Sequence, residues 1–261
     1  MAHQVYENIV LSNKLNDILT TKINLNNYMT IDSSLAENAG MKKKIITRSA
    51  AYEVENLTMG QGNTNSLEVT KTEAEYEVET FQGKFKFFDE EEMIDPLVVD
   101  AGLQFSADSM VNKFTSLAVA EMDKASMNTT PKAWSFDAIV DAIAEMNLED
   151  EAGLFLLISP ADKAAFRKAL KDDLKYSEDY VRTGYIGTVC GVPVIVSKAI
   201  AEGKGYLATK EAVTVFLKKD TETEYERDAD TRDNRYWVRK VAVVALTDAT
   251  KIVKITITPG V

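Results

Sequence analysis

The chain has 261 residues, 45% hydrophobic and 27% charged, with 41 acidic against 30 basic side chains and a formal net charge of −11. That length allows one large domain or two small ones around a sizeable core, and the acidity argues against gripping nucleic acid through neutralised phosphates. Cys190 is the only cysteine, which excludes an internal disulfide and a multi-cysteine metal site and fits a reducing compartment. The first residues lack a basic region followed by an apolar run, so no signal peptide is expected. No stretch approaches the roughly 20 apolar residues of a membrane span, so no membrane partner is expected and use in a cytoplasm is.

Residues 1–38 read as an arm. Val10, Leu11, Leu15, Ile18 and Leu19 fall at helical spacing among turn-forming Asn, Thr and Ser, giving one short amphipathic helix suited to docking. A long β-hairpin follows over 39–88. Gly40 opens it, Lys42, Lys43, Lys44, Ile45 and Ile46 lie on the outgoing arm, and Met59–Ser66 is a glycine- and asparagine-rich tip. On the return arm Glu73, Glu75, Glu77 and Glu79 alternate with Ala74, Tyr76 and Val78, so the carboxylates share one face. A two-stranded ribbon is marginal alone in water, and the chain that follows offers no obvious surface for it. A neighbouring subunit is therefore expected to supply one. The candidate intersubunit contacts are Glu73, Glu75, Glu77 and Glu79, with Lys42, Lys44, Arg48 and the Arg227–Arg239 region as basic partners across a subunit boundary.

Asp95-Pro96 reads as a helix start, with a capping residue followed by proline at the first helical position. Leu103, Ala107, Met110, Val111, Phe114, Leu117 and Ala118 hold a helical stripe to about Lys124, predicting a helix of about 29 residues and about 44 Å. Gly102 inside it marks a bend or close packing. Glu90, Glu91 and Glu92 supply negative charge before its N-terminus. Residues 126–131 read as a linker to a compact α/β part over 132–212. There Ser135 precedes a helix carrying Ile139, Val140, Ile143 and Met146, and Leu154–Ile158 is a buried central strand. Ser159-Pro160 caps a second helix with a buried stripe of Ala161, Ala165, Phe166, Ala169 and Leu170, the two helices covering the faces of the sheet. Strands near 186–190 and 193–197 join at Gly191. Alternating strands over 213–217, 221–225, 236–246 and 252–258 return the chain.

Catalytic machinery is thin. His3 is the only histidine and lies in the arm, so a Ser-His-Asp or Cys-His set would require that residue to fold back. Cys190 reads as a buried, inert thiol between Val189 and Val192. Ser159 between strand and helix resembles a nucleophile elbow without its flanking glycines, and capping explains it better. No phosphate loop or dinucleotide glycine pattern occurs. Asp228–Asp233 imitates a calcium loop but has Arg232 at a ligand position and lacks the glycine and distal glutamate, so it reads as a charged hairpin tip. No catalytic residue, metal or cofactor is assigned.

The order of parts (arm, long hairpin, long helix, compact α/β piece, return strands) resembles the major capsid proteins of tailed phages, which have the Hong Kong 97 fold. The strand–glycine–strand stretch Gly187–Ser197 is similar to that family's axial domain, and Tyr236–Ile255 to its closing strands. The resemblance implies an α+β, Hong Kong 97-type capsid fold. Its parts would be an N-terminal arm (1–38), an extended hairpin or E-loop (39–88), a spine helix (89–131), an axial domain (132–212) and return strands of the peripheral domain (213–261). It also implies a non-enzymatic subunit that associates with itself into pentamers and hexamers, in a virion capsid assembled in a bacterial cytoplasm. Double-stranded DNA would be enclosed without sequence-specific binding, with a separate scaffolding protein and a portal as partners. Two departures bear on this. The chain leaves no room for the long cleaved N-terminal segment of some members, and no motif assigns the lysine–asparagine cross-link of others. An encapsulin-like nanocompartment shell shares the fold and stays open as an alternative, as does a hydrolase or metal-dependent enzyme on the α/β part.

Overall fold

The computed structural model describes residues 28–37, 39–51, 55–62, 66, 68–170 and 188–258. The expected arm helix, His3, the residues 63–65 and 67 of the hairpin tip, and the start of the strand at 186–187 lie outside the described residues. Among the described residues two larger sheets and one ribbon make up the β structure. The first sheet runs β1 (Thr30–Asp32), β10 (Val213–Arg227), β11 (Asp233–Leu246) and β4 (Glu79–Phe88). The second runs β5 (Met127–Thr129), β12 (Ile252–Thr256), β9 (Lys204–Thr209), β6 (Leu154–Ile158), β8 (Val192–Val196) and β7 (Thr188–Val189). The ribbon is β2 (Lys42–Ala51) paired with β3 (Glu68–Glu77).

Among the described residues four α-helices join them: α1 (Asp89–Ile94), α2 (Val98–Met122), α3 (Phe136–Met146) and α4 (Pro160–Ala169). The long helix starts later than Asp95-Pro96 suggests. Glu90–Glu92 form a short helix of their own, and Asp95 closes a turn by accepting from the Leu97 amide, so α2 has 25 residues and spans about 38 Å. Its buried stripe is Leu103, Ala107, Met110, Phe114, Ala118 and Met122, four and three residues apart. The N-terminal half packs with Val238 and Phe85 on the first sheet. The C-terminal half enters a core shared by both sheets, where Phe114, Ala118 and Met122 meet Phe155, Tyr206, Val213, Val244 and Ile252. Gly102 is close packing rather than a bend: a Cβ there would lie 2.6 Å from the Phe85 ring.

β6 is buried at all five positions, and its alternation feeds two cores. Phe155 and Leu157 face the shared core, while Leu154, Leu156 and Ile158 face α3 and α4 through Ile139, Ala142, Phe166 and Leu170. The two short helices therefore cover one face of this sheet, not both; α2 and the first sheet close the other. The expected stripe on α4 is also narrower. Phe166 and Leu170 are buried, Ala161, Ala165 and Ala169 are exposed, and the buried first-turn residue is Asp162.

Three further elements differ from the sequence expectation. The stretch read as a linker contains β5, which pairs in parallel with β12. β12 also pairs with β9, so the closing strand belongs to the six-stranded sheet rather than to the return strands of the first. The strands expected over 213–217 and 221–225 are one strand, β10, whose polar interruption is absorbed by register shifts between Leu217 and Glu222 against β11.

Candidate assembly surfaces

The ribbon's register decides what its charges do. β2 and β3 pair antiparallel with Lys42 opposite Glu77, Lys44 opposite Glu75, Ile46 opposite Glu73 and Arg48 opposite Lys71. Directly opposed residues share a face. The Lys42 ammonium reaches Glu75 at 2.9 Å and Glu77 at 3.5 Å, and Glu73 pairs with Lys71. The hydrogen bond from Lys42 and its charge hold the Glu75 carboxyl below its ordinary range, and the Lys42 ammonium is raised in return. Much of the acidic face expected to meet a neighbour is thus matched within its own hairpin. Glu79 is not on that face, because β3 stops at Glu77, Val78 is buried, and Glu79 opens β4 opposite Ala242. The Arg227–Arg239 region is engaged at home as well: Arg227 with Asp89 (2.6 Å), Arg232 with Glu90 (3.3 Å), Arg235 with Asp233 (2.7 Å) and Arg239 with Glu222 (3.5 Å).

The base of the ribbon is fixed to the first sheet. Ile45 and Tyr76 pack against Leu35, Val78, Phe216, Val241 and Val243, and the Lys43 ammonium sits 4.2 Å above the Phe216 ring. Beyond that base every described residue from Arg48 to the strand end and from Glu68 to Glu75 whose burial is defined is exposed, and Met59 at the tip is wholly so. Among the described residues no carboxylate pairs with Arg48.

A second exposed surface lies where β4 passes into α1 and α2. Met93, Ile94, Leu97 and Phe105 expose 66–84% of their surface. Glu90, Glu91, Glu92 and Asp95 surround them in sequence, and this corner is tied down from below. Asp89 accepts from Arg227 and from the Asn234 amide, both at 2.6 Å, which lowers the Asp89 carboxyl, and the Phe88 amide donates to Glu91 at 3.0 Å. Beside the corner, a groove between α2 and β4 is lined by Gly83, Lys84, Phe85, Phe105 and Lys113. The apolar corner left no clear signal in the sequence, because its residues lie at the helical spacing of a core stripe and only the packing shows that they are exposed among the described residues.

Around Ser159 the α/β part holds a buried polar cluster. Ser159 caps α4, accepting from the Asp162 amide (3.1 Å) and donating to the Asp162 carboxylate (2.6 Å). That carboxylate also accepts from the Trp134 indole N–H (2.9 Å) and the Gly203 amide (3.0 Å). Ser159 and Asp162 are buried and fully engaged, so the serine is a cap and not an exposed nucleophile. Cys190 is not within a strand. It occupies the first position of a two-residue β-turn with Gly191, both at positive φ, between β7 and β8. It is half-buried, and burial first, then the nearby Glu151, raises its thiol pKa. The 228–233 segment is a hairpin tip, closed by the Asp228 amide on the Asp233 carbonyl at 2.9 Å. Among the described residues no group of three or more His, Cys, Asp or Glu is placed to hold a metal ion, and no helix is long and apolar enough to cross a membrane.

A ribbon projecting from a sheet, a long helix crossing that sheet and a compact α/β module define the Hong Kong 97-type capsid fold, and solved structures agree. The chain aligns with the mature capsid of bacteriophage PhiM1 at TM-score 0.71 and 12% identity, over 91% of this chain and 87% of that one. It aligns with the capsid of a native GTA particle at 0.71 and 11% identity, over 90% of each. A virus-like particle from Pyrococcus furiosus aligns at 0.65 and 15% identity, over 94% and 97%. The phage capsid protein family model matches residues 71–255, so the chain belongs to that family. The major capsid protein of Staphylococcus phage phiMR11 is 27% identical over 149 residues, covering 56% of this chain and 54% of that protein, so the chain matches about half the length of this curated relative.

Proposed function

We propose that this chain is the major capsid protein of a tailed bacteriophage, a non-enzymatic subunit that associates with itself into the pentamers and hexamers of an icosahedral shell. The observation that carries this is the pairing of a self-sufficient folded body with an exposed ribbon, in a chain of the phage capsid family. The ribbon, residues 40–78, lies over a neighbouring copy. The six-stranded sheet with α3 and α4 serves as the axial domain, with β5 and β12 assigned to it, and α2 with the first sheet serves as the peripheral domain. The shell belongs to the virion, is assembled in the bacterial cytoplasm with a scaffolding protein and a portal, and encloses double-stranded DNA. A net charge of −11 supports enclosure without adhesion, since tight binding to phosphates needs basic contacts. Negative-stain microscopy of the expressed protein, with sedimentation across a concentration series, tests this. Ring-shaped capsomers or closed shells are expected, and a chain that stays monomeric at every concentration would overturn the proposal.

A further inference from the structure

β4 is an outer strand of the first sheet. Among the described residues it pairs only with β11, in an unbroken register from Glu79 to Phe88. In such a pair alternate residues turn their N–H and C=O towards the partner strand, so the residues between them direct theirs outwards. The groove between β4 and α2 lies along that outward side. Consecutive residues from Thr80 to Phe85 line it. Side chains alternate across a strand, so a groove lined by consecutive residues follows the strand's edge and not one of its faces. Its opposite wall is Phe105, Ser106, Ser109 and Lys113 of α2. Gly83 leaves the floor clear. It falls between Phe81 and Phe85 on the side that faces α2, and a Cβ there would meet nothing within 4 Å. A glycine inside a strand marks a place where another backbone can approach closely.

Charge narrows the occupant. No lining residue is acidic, and Lys84 and Lys113 stand on opposite walls, in a chain whose net charge is −11. Asp100 and Asp108, the acids of this stretch of α2, lie outside the lining. Lysines along an open edge discourage basic or purely apolar strands and leave an acidic one favoured. We infer that β4 accepts an extended, acidic segment of a separate protein as a fifth strand of the first sheet. Alternate apolar side chains of that segment cover Phe81, Phe85 and Phe105, and its carboxylates meet Lys84 and Lys113. Strand addition of this kind takes affinity from main-chain hydrogen bonds and specificity from the pockets for alternate side chains. The acidic strand of this chain itself, β3, is a poor occupant. It is paired with β2 along its length, and Glu73, Glu75 and Glu77 are answered by Lys71 and Lys42. The inference goes beyond the shell reading and does not depend on how copies touch.

Fluorescence anisotropy of the full chain with a labelled peptide of alternating Glu and Val, matched to β4 in length, tests this. One control peptide replaces Glu by Lys. A second keeps the charge but is N-methylated throughout, which removes every main-chain donor. Two variants act on the groove: Gly83→Phe fills its floor, and Lys113→Glu reverses the charge of one wall. Gly83 has clear space for a side chain and Lys113 is exposed, so both variants are expected to keep the wild-type denaturation midpoint. The Glu peptide is expected to bind the wild type, and either control peptide or either variant to weaken that binding about tenfold or more. If Gly83→Phe does not fold, Lys113→Glu and the two control peptides carry the test. No binding to the wild type, or equal binding by the control peptides, would overturn the inference. Binding to unassembled subunits that is lost in particles would seat a neighbouring copy in the groove and overturn the choice of a separate protein. Neither result bears on whether the chain forms shells, which microscopy and sedimentation decide.

Discussion

The six-stranded sheet and the two-stranded ribbon use similar strand material and end in opposite states. β6 buries all five residues between two apolar layers, and β12 places Ile252, Val253 and Ile255 in the same cores. The ribbon devotes ten residues to each strand and leaves nearly all of them in water. Both are held by backbone pairing, although each ribbon strand is paired along one side only and β6 along both. The difference is apolar area removed from water, at about 25 cal/mol per Å². A region that buries its own surface folds alone; a region that cannot must bury it on something else. The six-stranded sheet is closed by its own chain, and on the proposed reading the ribbon is half of an interface.

That contrast breaks most readily in the module. Leu156→Ala is expected to cost about 2–5 kcal/mol, the range for a fully buried leucine, and to prevent assembly by unfolding the sheet; chemical denaturation checks it. Asp162→Ala strips the acceptor from the Trp134 indole and the Gly203 amide and should cost about 1–3 kcal/mol in the same assay. Gly102→Ala drives a methyl into the Phe85 ring and should also lower stability by about 1–3 kcal/mol, loosening α2 from β4. Ser159→Ala removes the helix cap and one donor to the Asp162 carboxylate, about 1–2 kcal/mol, and should leave assembly largely intact.

A pH series sharpens the junction between the two sheets. Asp123, at the end of α2, accepts from Lys204 at 3.0 Å and lies 3.4 Å from Lys254. The Lys204 hydrogen bond, then the Lys254 charge, hold its carboxyl below the ordinary value near 3.8. A depressed carboxyl stabilises the fold above its unfolded pKa, and that contribution is lost as pH falls through the folded one. Thermal midpoints should therefore drop below pH 4 in the wild type and drop less in Asp123→Asn. The effect is the smallest of the set because the pair is partly solvated.

Much of the architecture was legible because it rests on local rules. Ser135 and Ser159 cap their helices as capping chemistry dictates, and the three-and-four spacing along α2 gave its buried face. The misses are long-range. Nothing local distinguishes the Met127–Thr129 strand from a linker, since its identity comes from β12, more than a hundred residues away. The glutamates at 73, 75 and 77 were visible as a face, but only the register with β2 shows that Lys42 answers two of them in cis. The α1–α2 corner was hidden for the opposite reason. Its residues look like core, and only tertiary packing shows that they are exposed among the described residues.

The central claim is that the ribbon completes its burial on a neighbouring copy. Sedimentation of the wild type beside a chain lacking residues 57–67, with negative-stain images of both, tests this most directly. The account predicts that the deleted chain keeps the wild-type denaturation midpoint and fails to close shells. Shells of normal size and yield from the deleted chain would contradict it.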